Sequence, residues 1–149
     1  MLTPDHIYLD AQVDNAEQAI RVSGDCLLRA GAITSDYIDA MVHNWQENGA
    51  YFVIAPGLAL PHARPECGVL EAQISIVRLQ TPVVFGNEEN DPVDLVIGLA
   101  ATGSQQHVQL IQKVALVLSD ERKYAALKQA TDKESVMALF NASSYAKSA

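Results

Sequence analysis

Val93-Asp94-Leu95-Val96-Ile97-Gly98-Leu99-Ala100-Ala101 is an almost unbroken apolar run, and it leads directly into Thr102-Gly103-Ser104. A strand with one wet face alternates apolar and polar residues, whereas a continuous run belongs to a central strand covered on both faces. Thr102-Gly103-Ser104 supplies turn and cap residues, and beyond it Val108, Ile111, Ala115 and Leu118 recur at helical spacing, predicting a helix over Gln105–Leu118. Strand, tight turn and helix in that order are the unit from which layered α/β domains are built.

Working outward, Ala72 to Leu79 predicts a second strand, with Ala72, Ile74 and Ile76 alternating against Gln73 and Ser75. Val83–Phe85 reads as a short edge strand, and Phe85 to Pro92 as a polar, acidic surface loop. Upstream, Tyr51–Ile54 and Leu58–Leu60 are β-prone runs separated by Pro56-Gly57, and Pro61 stops pairing just before His62. Asp14-Asn15 caps a helix over Ala16–Ala30 closed by Gly31. A second helix opens at Thr34-Ser35-Asp36, buries Tyr37, Ile38, Met41, Val42 and Trp45, and ends at Asn48-Gly49. His6–Leu9 predicts a terminal strand, and Asp120–Gln129 and Asp132–Phe140 two further helices. The expected fold class is α/β: a mixed β-sheet with helices packed on its faces, a sandwich in a single domain over residues 1–149. Its core spans about 6–140, with a polar tail over 141–149.

The composition, 49% hydrophobic and 19% charged, is that of a globular chain able to bury a core without disulfides or a structural metal. Ten Lys and Arg against eighteen Asp and Glu give a net charge of -8, which repels a nucleic-acid backbone. The longest apolar stretches, such as Val114–Leu118, fall far short of the ~20 residues that span a bilayer, and Met1–Asp10 lacks a charged start followed by an apolar run. A cytoplasmic protein is expected. Cys26 and Cys67 belong to no CxxC pair and no zinc-like cluster, so no metal or other cofactor is implied. Cys67 follows His62 by five residues, so a Cys–His nucleophile pair is an alternative reading, one that requires the imidazole to lie against the sulfur.

The histidines differ in their settings. His6 and His43, on a terminal strand and the polar side of a helix, read as solvated. His62 ends an apolar run inside Ala55-Pro56-Gly57-Leu58-Ala59-Leu60-Pro61-His62-Ala63-Arg64-Pro65, where three prolines and a glycine fix the backbone. His107 falls in the first turn of the helix after Gly103-Ser104, where free backbone N–H groups and the helix dipole favour an anion. If the strands ending at Leu60 and Ala101 are neighbours, the two histidines face one another across the crevice beyond the strand ends. A phosphoryl carrier needs a nitrogen nucleophile, charge-neutralising groups and access for a second protein. The residues alone fit equally well a plainer reading, with His107 a capping or core residue, Arg64 solvated and the prolines a turn.

The stretch Pro56 to Pro65, the hydrophobic strand after it, and Gly103 with His107 before an amphipathic helix together resemble the mannitol–fructose family of phosphotransferase enzyme IIA proteins, from about His6 to Phe140. Tyr51-Phe52-Val53-Ile54-Ala55-Pro56-Gly57 leading into Leu60-Pro61-His62-Ala63-Arg64-Pro65-Glu66 most resembles its ascorbate-type branch. The resemblance implies phosphorylation of His62 as the tele-phosphohistidine and a helper role for His107 in stabilising the phosphoryl group. Arg64, Gly103 and Ser104 are the phosphate-binding candidates. It also implies HPr as donor, a cysteine of enzyme IIB as acceptor, and an indirect link to the membrane permease enzyme IIC, with ascorbate the expected cargo. Mannitol-type members carry an arginine near the end of the helix before the active-site strand. Here an ungapped count places Gln46 there, leaving that contact unassigned. The sequence leaves the choice of monomer or homo-oligomer open. Two competing functions also fit the sequence: a regulatory protein of the same fold whose phosphorylation state a partner reads, and a metal-dependent hydrolase using His62 and His107 as ligands.

Overall fold

The computed structural model describes residues 2–148, with side chains to Asn141. Along the chain run β1 (Ile7–Ala11), α1 (Ala16–Arg29), α2 (Ser35–Asn48), β2 (Val53–Ala55), β3 (Leu58–Ala59), β4 (Gln73–Val83), β5 (Val93–Ala100), α3 (Ser104–Leu118), α4 (Glu121–Gln129) and α5 (Lys133–Ser148). The strands form one mixed sheet in the order β1-β4-β5-β3-β2. β1 runs parallel to β4, β4 antiparallel to β5, β5 parallel to β3, and β3 antiparallel to β2.

The continuous apolar run is the middle strand, as its sequence requires. Val93, Val96 and Ala100 face a core shared with α1 and α2, while Leu95, Ile97 and Leu99 face a second core shared with α3, α4 and α5. Two helical layers therefore enclose the sheet, the first from the early helices and the second from the late ones. Gly98 lies under α1, where a Cβ would come within 2.6 Å of the Ser75 hydroxyl on β4 and 3.3 Å of the Leu27 and Ser23 side chains on α1, so a larger residue there would force its neighbours to shift. Pro56 and Gly57, the latter at φ 76, make the tight turn that reverses β2 into β3.

Four sequence expectations need correction. Val83 is not a separate edge strand but the end of β4, pairing with Val93 after a shift of register that accommodates Pro82. Ser75 is fully buried: β4 is covered on both faces, and the Ser75 hydroxyl donates to the Ser23 carbonyl of α1 at 2.8 Å. His6 precedes β1 in a short 3-10 turn and is only 4% exposed. Its Nδ1 accepts from the Thr3 amide at 2.9 Å, its Nε2 has no partner among the described residues, and burial pushes its pKa below the ordinary value. Finally, α5 continues to Ser148, past Phe140 where the apolar pattern stops.

Polar groups bind the layers at their edges. Arg78, nearly buried, donates to the carbonyls of Leu127 and Lys128 at the end of α4 and pairs with Asp10 at 3.1 Å, satisfying helix carbonyls that lack partners. The acidic loop is wound around Asp91, whose carboxylate accepts from the amides of Phe85, Gly86 and Asn87 at 2.8–2.9 Å. Trp45 Nε1 donates to the Phe85 carbonyl at 3.0 Å and joins that loop to α2.

Candidate phosphoryl-transfer site

Parallel pairing of β3 with β5, Leu58 with Leu95 and Ala59 with Val96, brings their C-terminal ends to the same edge of the sheet. Beyond Leu60 the chain cannot donate from Pro61, yet the Pro61 carbonyl still accepts from the Leu99 amide at 3.0 Å. The last anchored residue is thus immediately before His62. On the neighbouring strand, Ala101 leads through Gly103 into α3, and no side chain caps that helix start. The two segments converge on an open cleft of about 870 Å³ whose wall includes His62, Arg64, Gly103, Ser104 and His107. All five residues singled out in the sequence meet there. The His62 and His107 rings lie 5.3 Å apart between centroids at an interplanar angle of 60°.

His62 is half-buried, and its Nδ1 lies 2.9 Å from the Leu60 carbonyl. A carbonyl only accepts, so this contact places the proton of the neutral ring on Nδ1 and the lone pair on Nε2. The ring is therefore oriented, and the nitrogen that carries its lone pair chosen, by the backbone two residues upstream. Burial, and then the nearby His62, lower the pKa of His107, which favours the neutral imidazole at pH 7. A neutral imidazole still offers one N–H donor. Arg64 stands exposed at the rim, its guanidinium without a hydrogen bond or ion pair among the described residues.

Residues that the sequence did not single out complete the site. Tyr37, fully buried in α2, accepts at Oη from the Ala63 amide at 2.9 Å and donates to the Leu99 carbonyl at 2.8 Å; the Ala63 carbonyl is also within reach at 3.1 Å. One hydroxyl therefore clamps the residue after His62 to the end of β5. Burial pushes the Tyr37 pKa up to about 12, keeping that hydroxyl protonated. Asn44 donates to the His62 carbonyl at 2.9 Å and to Tyr51 Oη at 2.8 Å, and Tyr51 Oη is 3.4 Å from His62 Nε2. The helical periodicity that marked Tyr37 as core could not reveal its hydroxyl's partners, because these are distant in sequence. Gln46 is exposed and is not among the residues lining the cleft.

Other sequence expectations resolve differently. His43 is exposed as expected and sits 3.6 Å from Glu47 on the same helix. Cys67 lines the cleft as a half-buried free thiol, and no hydrogen bond joins it to His62 among the described residues. No group of three or more metal-ligating side chains converges among the described residues, and none of their helices is long and apolar enough to cross a membrane.

The sequence profile described as phosphoenolpyruvate-dependent sugar phosphotransferase system, EIIA 2, matches residues 1–143. The chain belongs to this family. Enzyme IIA proteins of this type are phosphoryl carriers of the phosphotransferase system, and they work with an enzyme IIB partner. The chain is similar to the ascorbate-specific EIIA component of Escherichia coli K12, with 34% identity over 91% of this chain and 88% of the relative. Among solved structures, the Escherichia coli mannitol enzyme IIA in complex with phosphorylated enzyme IIB superposes with a TM-score of 0.82 at 28% identity, covering 95% of this chain and 98% of that one. The mannitol-specific cryptic enzyme IIA CmtB of Escherichia coli gives 0.80 at 33% identity over 91% and 92% of the two chains. In this enzyme IIA protein the cleft is thus formed by the residue types a carrier requires, at the edge of the sheet where two strands deliver them together.

Proposed function

We propose that this enzyme IIA protein accepts a phosphoryl group from phospho-HPr on His62 Nε2, as a tele-phosphohistidine, and passes it to a cysteine of enzyme IIB. The transfer serves ascorbate uptake through the membrane permease enzyme IIC, and the protein works in the cytoplasm over a single domain of residues 1–149. The observation that carries this reading is the Leu60 carbonyl on His62 Nδ1, which leaves Nε2 free beside His107. The ascorbate assignment rests on the similarity to the ascorbate-specific relative over 91% of the chain.

In the first step the Nε2 lone pair forms the new N–P bond while the donor's N–P bond breaks and its nitrogen retains the electron pair. The proton stays on His62 Nδ1, donated to the Leu60 carbonyl, throughout, so no proton needs to leave the ring. His107 donates an N–H to the phosphoryl oxygens, the start of α3 at Gly103 and Ser104 adds its dipole, and Arg64 contributes positive charge at the rim. In the second step a thiolate attacks phosphorus and the N–P electrons return to Nε2.

The test is labelling from phosphoenolpyruvate through enzyme I and HPr. Wild type should acquire an acid-labile, base-stable phosphoryl group, and His62→Ala should acquire none while keeping its fold. Label on His62→Ala would overturn the assignment. Transfer of the label onward to an enzyme IIB thiol distinguishes the carrier from a regulatory protein that holds the group for a partner to read.

A further inference from the structure

We propose that the Tyr51 hydroxyl, oriented by Asn44, is a catalytic donor to the phosphoryl group on His62, a proposal that rests on the reading of His62 as acceptor. The geometry begins on α2. Asn48 Nδ2 donates to Asn44 Oδ1 at 2.6 Å, which fixes the Asn44 amide so that its NH₂ faces the active-site loop. That NH₂ donates to the His62 carbonyl at 2.9 Å and to Tyr51 Oη at 2.8 Å. With an Oη lone pair occupied by Asn44, the hydroxyl hydrogen is left for the one acceptor it reaches among the described residues, His62 Nε2 at 3.4 Å.

That distance is long for an O–H···N bond, so the contact orients the ring while yielding easily to an incoming group. The Tyr51 ring is steadied by edge contacts with Phe52 at 5.6 Å and with His62 at 5.8 Å, although Tyr51 itself is 52% exposed. An exposed, buttressed tyrosine whose hydroxyl is aimed at a nucleophilic nitrogen has no role in the core. As the Nε2 lone pair forms its bond to phosphorus, the leaving group departs with its own electron pair. The Tyr51 O–H then turns its hydrogen from Nε2 to a phosphoryl oxygen without giving up the proton. Tyr51 touches the reacting atoms, and Asn44 is a positioning residue acting through it. Among the described residues the Arg64 guanidinium has no fixed partner at the rim, so the hydroxyl is the donor whose position next to Nε2 is set in advance.

Phosphoramidate, a small donor with the same P–N bond, tests this without a protein partner, with labelling at His62 followed by peptide mass spectrometry and ³¹P NMR. Tyr51→Phe keeps both ring contacts and is expected to retain the wild-type Tm. Its His62 should be labelled about 10- to 100-fold more slowly, the loss expected for one hydrogen bond to a charged group. The phosphohistidine ³¹P resonance should also move. Asn44→Ala should slow labelling too, and by less in the Tyr51→Phe background than alone, because the two residues act in series. A wild-type rate and an unmoved ³¹P resonance in Tyr51→Phe, or full additivity with Asn44→Ala, would overturn the proposal. Labelling of the wild type at a site other than His62 would instead overturn the acceptor reading itself.

Discussion

Replacing Tyr37 with phenylalanine removes a single oxygen, keeps the ring in the core, and withdraws the clamp between the active-site loop and the end of β5. The Ala63 amide loses its partner at 2.9 Å and the Leu99 carbonyl loses one at 2.8 Å, both beside a fully buried ring where water does not readily substitute. A buried polar group left unpaired costs about 1–3 kcal/mol, so the pair should lower stability by about 2–5 kcal/mol. For a chain of this length that corresponds to a fall in Tm of roughly 5–15 °C. The phosphorylation rate should fall as well, since His62 immediately precedes the released amide. A pH series supplies a second signature. The folded Tyr37 pKa of about 12 lies above the ordinary 10, so the native state holds this proton more tightly than the unfolded chain. The resulting stabilisation is intact below pH 10 and fades as pH rises towards 12, amounting to about 2–3 kcal/mol. Wild type should therefore lose stability more steeply than Tyr37→Phe across that window in urea titrations. A loss below about 1 kcal/mol at neutral pH, with parallel alkaline profiles, would refute the clamp.

Two further outcomes follow from the site. His107→Ala should still accept a phosphoryl group but deliver it to enzyme IIB about 10- to 100-fold more slowly in single-turnover assays, because a donor to the departing group is lost while the nucleophile remains; a wild-type transfer rate would remove His107 from the mechanism. Ala63→Glu should both weaken partner association, measured by calorimetry, and lower Tm. Ala63 is half-buried against the α1/α2 core, so the carboxylate meets apolar neighbours as well as the incoming phosphoryl charge. An unchanged Tm would show that the loop gives way around it.

The central strand was legible because burial on both faces leaves no polar alternation, a signal written directly into Val93–Ala101. The meeting of His62 and His107 was legible for a related reason: each follows a strand end, and parallel neighbours end on the same side. Ser75 misled because a hydroxyl with a backbone acceptor can be buried at little cost, and sequence does not display the Ser23 carbonyl. His6 misled in the same way, since the Thr3 amide satisfies one nitrogen and burial of the other leaves no mark in the pattern. Tyr37, Asn44 and Tyr51 act through oxygen and amide positions set by how α2 lies over the sheet. Residue type and period locate their helix or strand, but the partners of a hydroxyl come only from the packing.

The ladder between β3 and β5 also bears on how the protein becomes reactive. It joins residues Leu58 and Ala59 to Leu95 and Val96, while Tyr37 reaches in from a third, earlier segment to hold Ala63 and Leu99. The shortest stretch of chain that contains His62, its facing imidazole and the hydroxyl that ties their strands together runs from Tyr37 to His107. A nascent chain that has emerged only as far as β4 holds His62 without the strand against which it is placed and without the facing His107. On the proposed reading of His62, competence to take up the phosphoryl group is acquired late, when contacts of long sequence separation have closed. The rate of labelling after dilution from denaturant consequently serves as a clock for completed topology, running behind any probe that reports helix formation alone.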